Sequence, residues 1–376
     1  MLPLLLIAAV CLLAYSNGAN DNPNGVATLF GSETSDYRTA IHWATITTFL
    51  GSMASLVLAQ ALVDVFSGRG LVPEPVAAGE LFVLAVGAGA GGTVMLATVL
   101  GLPVSTTHSL VGGLAGAGIL AAGSTFDASV LGWVFFLPLL ASPLMAMILA
   151  AGLYAVAHRA RIGLGVEEGD WVCVGDSAAV LDGGKVAEDG TGVLSFRASA
   201  PELSVGSRDS CQGRYRGHFL GVGAGRALDA AHFLSSGLVS FARGVSDTPK
   251  IAALLVVLEM VDVRVGTAVL AVLIAVGALL SARKVGHTMG HRITRMNPGQ
   301  GFTANLTTAA LVIGASGIGL AVSTTHVSVG SIFGIGLLGG ETDTRVARDI
   351  VLSWVVTLPC AALLGALVYG TGQVLI

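Results

Sequence analysis

Ten apolar stretches, most near 20 residues long, run through this chain at 2–31, 39–64, 77–100, 104–121, 128–157, 227–261, 263–283, 301–320, 323–339 and 347–374. About 20 apolar residues make a helix that crosses roughly 30 Å of hydrocarbon. The chain therefore reads as an all-α polytopic membrane protein. Composition agrees: 53% of its 376 residues are hydrophobic and 11% charged, where a soluble domain carries about 25% charged residues. A soluble fold of this size cannot hide that much apolar surface. The apolar runs are continuous, not alternating, which argues against an outer-membrane barrel. A net charge of −4 and a pI of 6.0 leave no basic footprint for nucleic acid. The segment from Met1 to Tyr15 lacks a basic start and reads as half a membrane helix, not a signal peptide. Four scattered cysteines suggest neither a disulfide framework nor a zinc site.

The chain is also duplicated. Gly101-Leu-Pro-Val-Ser-Thr-Thr-His108 returns as Gly319-Leu-Ala-Val-Ser-Thr-Thr-His326, and Gly18-Ala-Asn-Asp-Asn-Pro-Asn24 returns as Gly244-Val-Ser-Asp-Thr-Pro-Lys250. Asp21 and Asp247 are 226 residues apart, Ser105 and Ser323 218, a difference ascribed to loop length. The expected organisation is membrane repeat 1 over 1–157, an insert over 158–217 and membrane repeat 2 over 218–376. Each repeat offers about five crossings, an odd number, so the second copy is expected upside down. Fifteen of the 19 Lys and Arg then fall on one side if both termini lie outside, which the positive-inside rule favours. Counting 104–121 and 323–339 as full spans is the open step, because either could re-enter. The insert carries Gly169–Gly175 and Ser177–Gly184, which read as short strands in a small β-rich cytoplasmic module or a loose linker.

Polar residues inside membrane spans are costly and mark function. Asn17, Asn20, Asp21, Asn22 and Asn24 gather near 16–25, and Ser246, Asp247, Thr248 and Lys250 near 243–250. Gly18, Pro23, Gly244 and Pro249 predict a helix break at both places. Broken helices at membrane depth expose backbone groups and are tolerated only around a cavity. In inverted-repeat transporters they face each other near the midplane. Ser105, Thr106 and Thr107, and likewise Ser323, Thr324 and Thr325, stand at the start of a short helix. Its free N–H groups and partial positive charge suit an oxyanion. Simple capping by serine or threonine is the plain alternative for one copy. His108 and His326 could relay a proton or merely bond to backbone. Asp21 and Asp247 would repel an anion unless they accept a hydrogen bond from a protonated one, bind a cation, or cap their own half-helices. Phosphate keeps a proton near neutral pH and sulfate does not, so a carboxylate can tell them apart.

These motifs resemble the inorganic phosphate transporter family, the sodium- or proton-coupled carriers that include sulfate permeases. Gly18 to Asn24 matches its duplicated signature and the V-S-T-T-H segments match its second element. The likeness covers about 300 residues and leaves out the insert. It implies two inverted repeats with phosphate held among Asp21, Asn24, Ser105, Thr106, Thr107, Asp247, Ser323, Thr324 and Thr325. It also implies symport with sodium or a proton, a cation site among Asn20, Asp21, Asn24 and Asp247, sodium near Asn20 and Asp21, and no cofactor. The second signature departs from the pattern: Ser246 stands for Asn20 and Lys250 for Asn24. Lys250 could replace a cation, meet the anion, or pair with Asp247.

The expected function is ion-coupled phosphate transport, the alternative being a proton-coupled permease for sulfate or another oxyanion. The expected partners are the anion, a coupling cation and the lipid bilayer of the cell membrane, with a homodimer left open. An intramembrane hydrolase using Ser105 and His108 fits poorly, because it has no need of two opposed nucleophiles. A nutrient sensor signalling through the insert is distinguished by deleting 162–213.

Overall fold

The computed structural model describes residues 1–167, 169–177, 202–207, 215–257, 261–292, 296–339 and 344–375. The chain divides into two compact units, Met1–Tyr154 with His232–Ile376, and Ala155–Ala231.

Repeat 1 contains α1 (Leu2–Asp21), a 3-10 turn (Asn22–Gly25), α2 (Ala27–Gly31), α3 (Tyr37–Leu58), α4 (Gln60–Phe66), α5 (Glu80–Leu100), α6 (Thr106–Ala122) and α7 (Leu137–Gly163). After the insert come α8 (Ala224–Ala252), α9 (Val263–Ser281), α10 (Arg283–Arg292), α11 (Pro298–Gly317), α12 (Thr324–Gly339) and α13 (Thr344–Leu375). The two series correspond: α1 to α8, α3 to α9, α4 to α10, α5 to α11, α6 to α12 and α7 to α13.

Six helical segments among the described residues are long and apolar enough to cross a membrane, Leu2–Gly25, Tyr37–Leu58, Glu80–Leu100, Ala128–Gly163, Val263–Ser281 and Arg345–Leu375. Leu140, Leu144 and Ile148 of α7, with Val355, Leu363 and Leu367 of α13, lie exposed on the outside, as lipid contact permits. The expected span at 104–121 is shorter than a crossing. At 1.5 Å per residue, the 17 residues of α6 and 16 of α12 rise about 25 Å, less than the hydrocarbon core. Each is the second arm of a hairpin. The chain leaves α5 at Gly101 (φ 74°) and α11 at Gly319 (φ 73°), left-handed turns suited to glycine, and runs extended into Ser105 or Ser323.

The repeats interlock. A Cβ on Gly18 of α1 would strike the Ile274 carbonyl of α9, and one on Gly277 would strike the Tyr15 carbonyl. The same contact recurs between α8 and α3, where Gly244 meets the Thr48 carbonyl and Gly51 the Phe241 carbonyl. The hairpin helices exchange partners too: Gly116 of α6 abuts the Ala362 carbonyl of α13, and Gly334 of α12 abuts the Met147 carbonyl of α7. Small residues allow this close approach where water supplies no driving force between helices.

One expected break lies elsewhere. Repeat 1 breaks over 22–25 as the sequence suggests, but α8 runs unbroken through Gly244 and Pro249 to Ala252, and a 3-10 turn follows at Ala253–Leu255. Asn22, Asn24 and Gly25 disfavour helix, while the equivalent Thr248, Lys250 and Ile251 are better helix formers.

The second unit holds an antiparallel sheet in the order β2-β1-β3, from β1 (Trp171–Ser177), β2 (Glu202–Gly206) and β3 (Tyr215–Gly223). Cys173 pairs in register with Ser204 and Gly221; it is buried and disulfide-bonded. The Arg226 guanidinium lies over the Trp171 ring, 5.3 Å from its centroid. The strand expected over Ser177–Gly184 lies outside the described residues beyond Ser177, as does Glu259.

Candidate functional site

The two hairpin tips meet each other and both signature helices. Ser105 caps α6 by accepting a bond from His108 N at 3.1 Å, and Ser323 accepts from His326 N at 3.2 Å. The next hydroxyls cross between repeats: Thr107 Oγ1 donates to Val322 O at 3.4 Å, and Thr325 Oγ1 to Val104 O at 3.3 Å. The His108 and His326 rings lie 4.3 Å apart, and His326 stacks on Trp354 at 3.8 Å. Equivalent helix starts can touch only if both tips end inside the protein, so each hairpin re-enters.

Asp21 and Asp247 lie beside these tips, both buried. One amide joins them: Asn17 Nδ2 donates to Asp21 Oδ2 at 2.9 Å and to Asp247 Oδ2 at 3.2 Å. Asp21 also accepts from Thr106 Oγ1 at 2.6 Å and Thr325 Oγ1 at 3.3 Å, one hydroxyl from each hairpin. Asn24 Nδ2 donates to Thr325 Oγ1 at 2.8 Å. Its counterpart Lys250 reaches the equivalent hydroxyl, with Nζ 2.9 Å from Thr107 Oγ1, 2.8 Å from Val322 O and 3.2 Å from Asp247 Oδ1. The ammonium stands 5.8 Å from the Phe66 ring centroid, and Phe66 packs edge-on against Phe135.

The structure therefore brings Asp21, Asn24, Thr106, Thr107, Asp247, Lys250 and Thr325 together. Thr324 lies at the same tip with its buried hydroxyl unpartnered. Ser105 and Ser323 use their hydroxyl oxygens as helix caps. Asn20, expected in a cation site, instead braces the first hairpin: Nδ2 donates to Thr98 Oγ1 and Leu102 O, both at 3.0 Å, and Oδ1 accepts from Val104 N at 3.0 Å. With its oxygen and amide so engaged, Asn20 is not a free ligand for sodium beside Asp21. Its counterpart Ser246 is too short for that brace, and both Ser246 Oγ and Ser316 Oγ, the partner equivalent to Thr98, are buried without partners.

Two central residues had no role assigned from sequence. Asn17 links the carboxylates. Arg243 is fully buried and aims Nη1 at Asn17 Oδ1 (3.1 Å) and Asn17 O (3.4 Å), and Nη2 at Asn22 Oδ1 (3.2 Å). The signal was present, because the 226-residue spacing that pairs Asp21 with Asp247 also pairs Asn17 with Arg243. Arg243 Nε, Thr324 Oγ1 and Asn24 Oδ1 are buried without partners. A buried polar group left alone costs about 1–3 kcal/mol, so these atoms are suited to a polar ligand. Two are donors to an oxyanion and the third is an acceptor.

Residues 17–365 match the model of the phosphate transporter family. A probable low-affinity inorganic phosphate transporter of Rhizobium meliloti is 27% identical, over 98% of this chain and 96% of the relative. One from Mycobacterium tuberculosis is 28% identical, over 98% of this chain and 77% of its own. A solved structure described as the sodium-dependent phosphate transporter superposes with a TM-score of 0.73 over all of both chains, at 22% identity. The match takes in both signature helices and both hairpins, so the chain belongs to the phosphate transporter family.

Proposed function

We propose that this multi-pass membrane protein is a secondary active transporter that carries inorganic phosphate together with a coupling cation. The observation that carries this reading is the pair of hairpin tips meeting over two buried carboxylates and two buried cations, with donors and an acceptor left open. Thr106, Thr107, Thr324, Thr325 and Lys250 would donate to phosphate oxygens. Asp21, Asp247 and Asn24 Oδ1 would accept the P–OH proton, which sulfate lacks. Lys250 is the one strand of this network that can exchange a hydroxyl and a carbonyl for a substrate oxygen without leaving its carboxylate.

Uptake of labelled phosphate into proteoliposomes tests the reading. Unlabelled phosphate should suppress the signal and equal sulfate should not; equal suppression by sulfate would move the substrate to oxyanions in general.

We take 1–157 and 218–376 as the two membrane repeats and 158–217 as an insert on the cytoplasmic side, with both termini outside. The lysine and arginine distribution supports that orientation. The disulfide at Cys173 weighs against it, because disulfides persist in oxidising compartments. An epitope in the insert, probed in intact and opened cells, decides the side.

A further inference from the structure

The signature helices carry opposite kinds of side chain at two matched places. Where α1 has Asn17 and Asn24, α8 has Arg243 and Lys250. Both cations are buried, and both reach across to repeat 1, Arg243 to Asn17 and Asn22, Lys250 to Thr107. The cluster therefore contains two carboxylates and two cations that belong to the chain itself. An arginine in a protein stays charged.

We propose that Arg243, acting with Lys250, is a resident cation that takes the electrostatic place of a mobile metal cation at the Asp21–Asp247 pair, so that transport runs without sodium. The inference rests on the phosphate reading above. Its geometric core is the chain Arg243–Asn17–carboxylates. An amide presents an oxygen at one end and an NH2 at the other. The guanidinium holds the oxygen of Asn17, so the NH2 must face Asp21 and Asp247, and it donates to both. Arg243 is thus a positioning residue for Asn17 as well as a fixed positive charge. A sodium ion wants oxygen ligands in this space, but the candidate oxygens are already engaged. Asn17 Oδ1 and Asn22 Oδ1 accept from Arg243, Asn20 Oδ1 accepts from Val104 N, and Asp247 Oδ1 faces Lys250 Nζ. Two fixed positive charges repel a third cation, and closely so where the medium is poorly polarisable. The proton is then the mobile cation left to accompany phosphate.

The experiment uses the full-length protein in liposomes with membrane potential and pH held fixed. Phosphate–phosphate exchange is measured first, with identical salts on both sides. Initial uptake is then followed as choline is replaced by sodium. Wild type should exchange phosphate, and its uptake should change by less than about twofold across the sodium range, far below the tenfold that 1.4 kcal/mol of cation binding would give. Arg243→Gln should lose uptake and Arg243→Lys should keep it, since charge and not shape is what counts. Arg243→Asn combined with Lys250→Asn gives α8 the amides of α1 and should acquire a sodium requirement. Exchange without uptake in sodium-free medium, or Arg243→Gln working at wild-type rate there, overturns the inference and leaves phosphate transport standing. Absence of phosphate exchange in wild type overturns the phosphate reading itself. If the arginine variants fail to fold, the wild-type sodium series decides alone.

Discussion

Asp21 and Asp247 occupy equivalent places on α1 and α8, yet their neighbours differ in kind. Asp21 is held by neutral donors, an amide and two hydroxyls drawn from both hairpins. Asp247 has an ammonium at 3.2 Å on its own helix turn and shares the same amide. The first copy thus gathers the hairpins, and the second supplies the positive charge. A duplicated carrier needs the two copies to close around one ligand, but nothing requires them to do so with the same chemistry. The hairpin braces show the same division: Asn20 ties down the first tip through three bonds, whereas Ser246 leaves the second without an equivalent.

The largest effects should come from the carboxylates. Asp21→Asn and Asp247→Asn are each expected to reduce phosphate uptake about a hundredfold or more. They should separate in stability. Asp247→Asn strands the Lys250 ammonium, and breaking one side of a buried pair costs about 3–5 kcal/mol; Asp21→Asn strands no ammonium. Thermal unfolding of the purified variants reads the difference, and adding Lys250→Met to Asp247→Asn should restore stability without restoring uptake. Equal stability losses for the two single variants would mean the aspartates are interchangeable.

A smaller effect distinguishes two matched threonines. Thr106→Val removes a hydroxyl bonded to Asp21 and should weaken both stability and affinity, since a bond to a charged group contributes about 1.5–3 kcal/mol. Thr324→Val removes a hydroxyl that has no partner in the protein. It should leave the unfolding midpoint in place and raise the KM for phosphate about tenfold. An unchanged KM would remove Thr324 from the substrate contacts.

The smallest concerns the braces. Asn20→Ala leaves Leu102 O and Val104 N without their side-chain partner and should cost about 1–3 kcal/mol for each group left buried and unpaired. Ser246→Ala removes only an unpartnered hydroxyl and should change the midpoint little. Chemical unfolding in detergent compares them; a similar loss for both would show that the second tip has a brace of its own.

Much of this arrangement was legible in the sequence because duplication writes it twice. V-S-T-T-H recurs letter for letter, and the hairpin tips it marks are where the repeats meet. The eight-residue change of spacing is a loop, since 67–79 connects α4 to α5 where 293–297 connects α10 to α11. Misreadings arose where one copy was used to interpret the other. Gly244 and Pro249 suggested a break because Gly18 and Pro23 stand beside one, but a helix breaks when several neighbours disfavour it, and Lys250 and Ile251 do not. Asn20 looked like a cation ligand because it adjoins Asp21. Adjacent residues on a helix point in different directions, and Asn20 points at the hairpin. Arg243 was passed over because it lies four residues before the aspartate, outside the motif as usually bounded.

The exchange of partners between hairpins also sets a waiting time during synthesis. α6 ends at Ala122 and α13 begins at Thr344, so the glycine face that will receive α13 is inserted more than two hundred residues early. At roughly 5–20 residues per second, the ribosome needs tens of seconds to make that partner. In water an unfilled apolar groove would invite aggregation over such an interval. In a bilayer, acyl chains solvate it about as well as leucine does. The first half of the protein can therefore remain open in the membrane until the last helix arrives to close it.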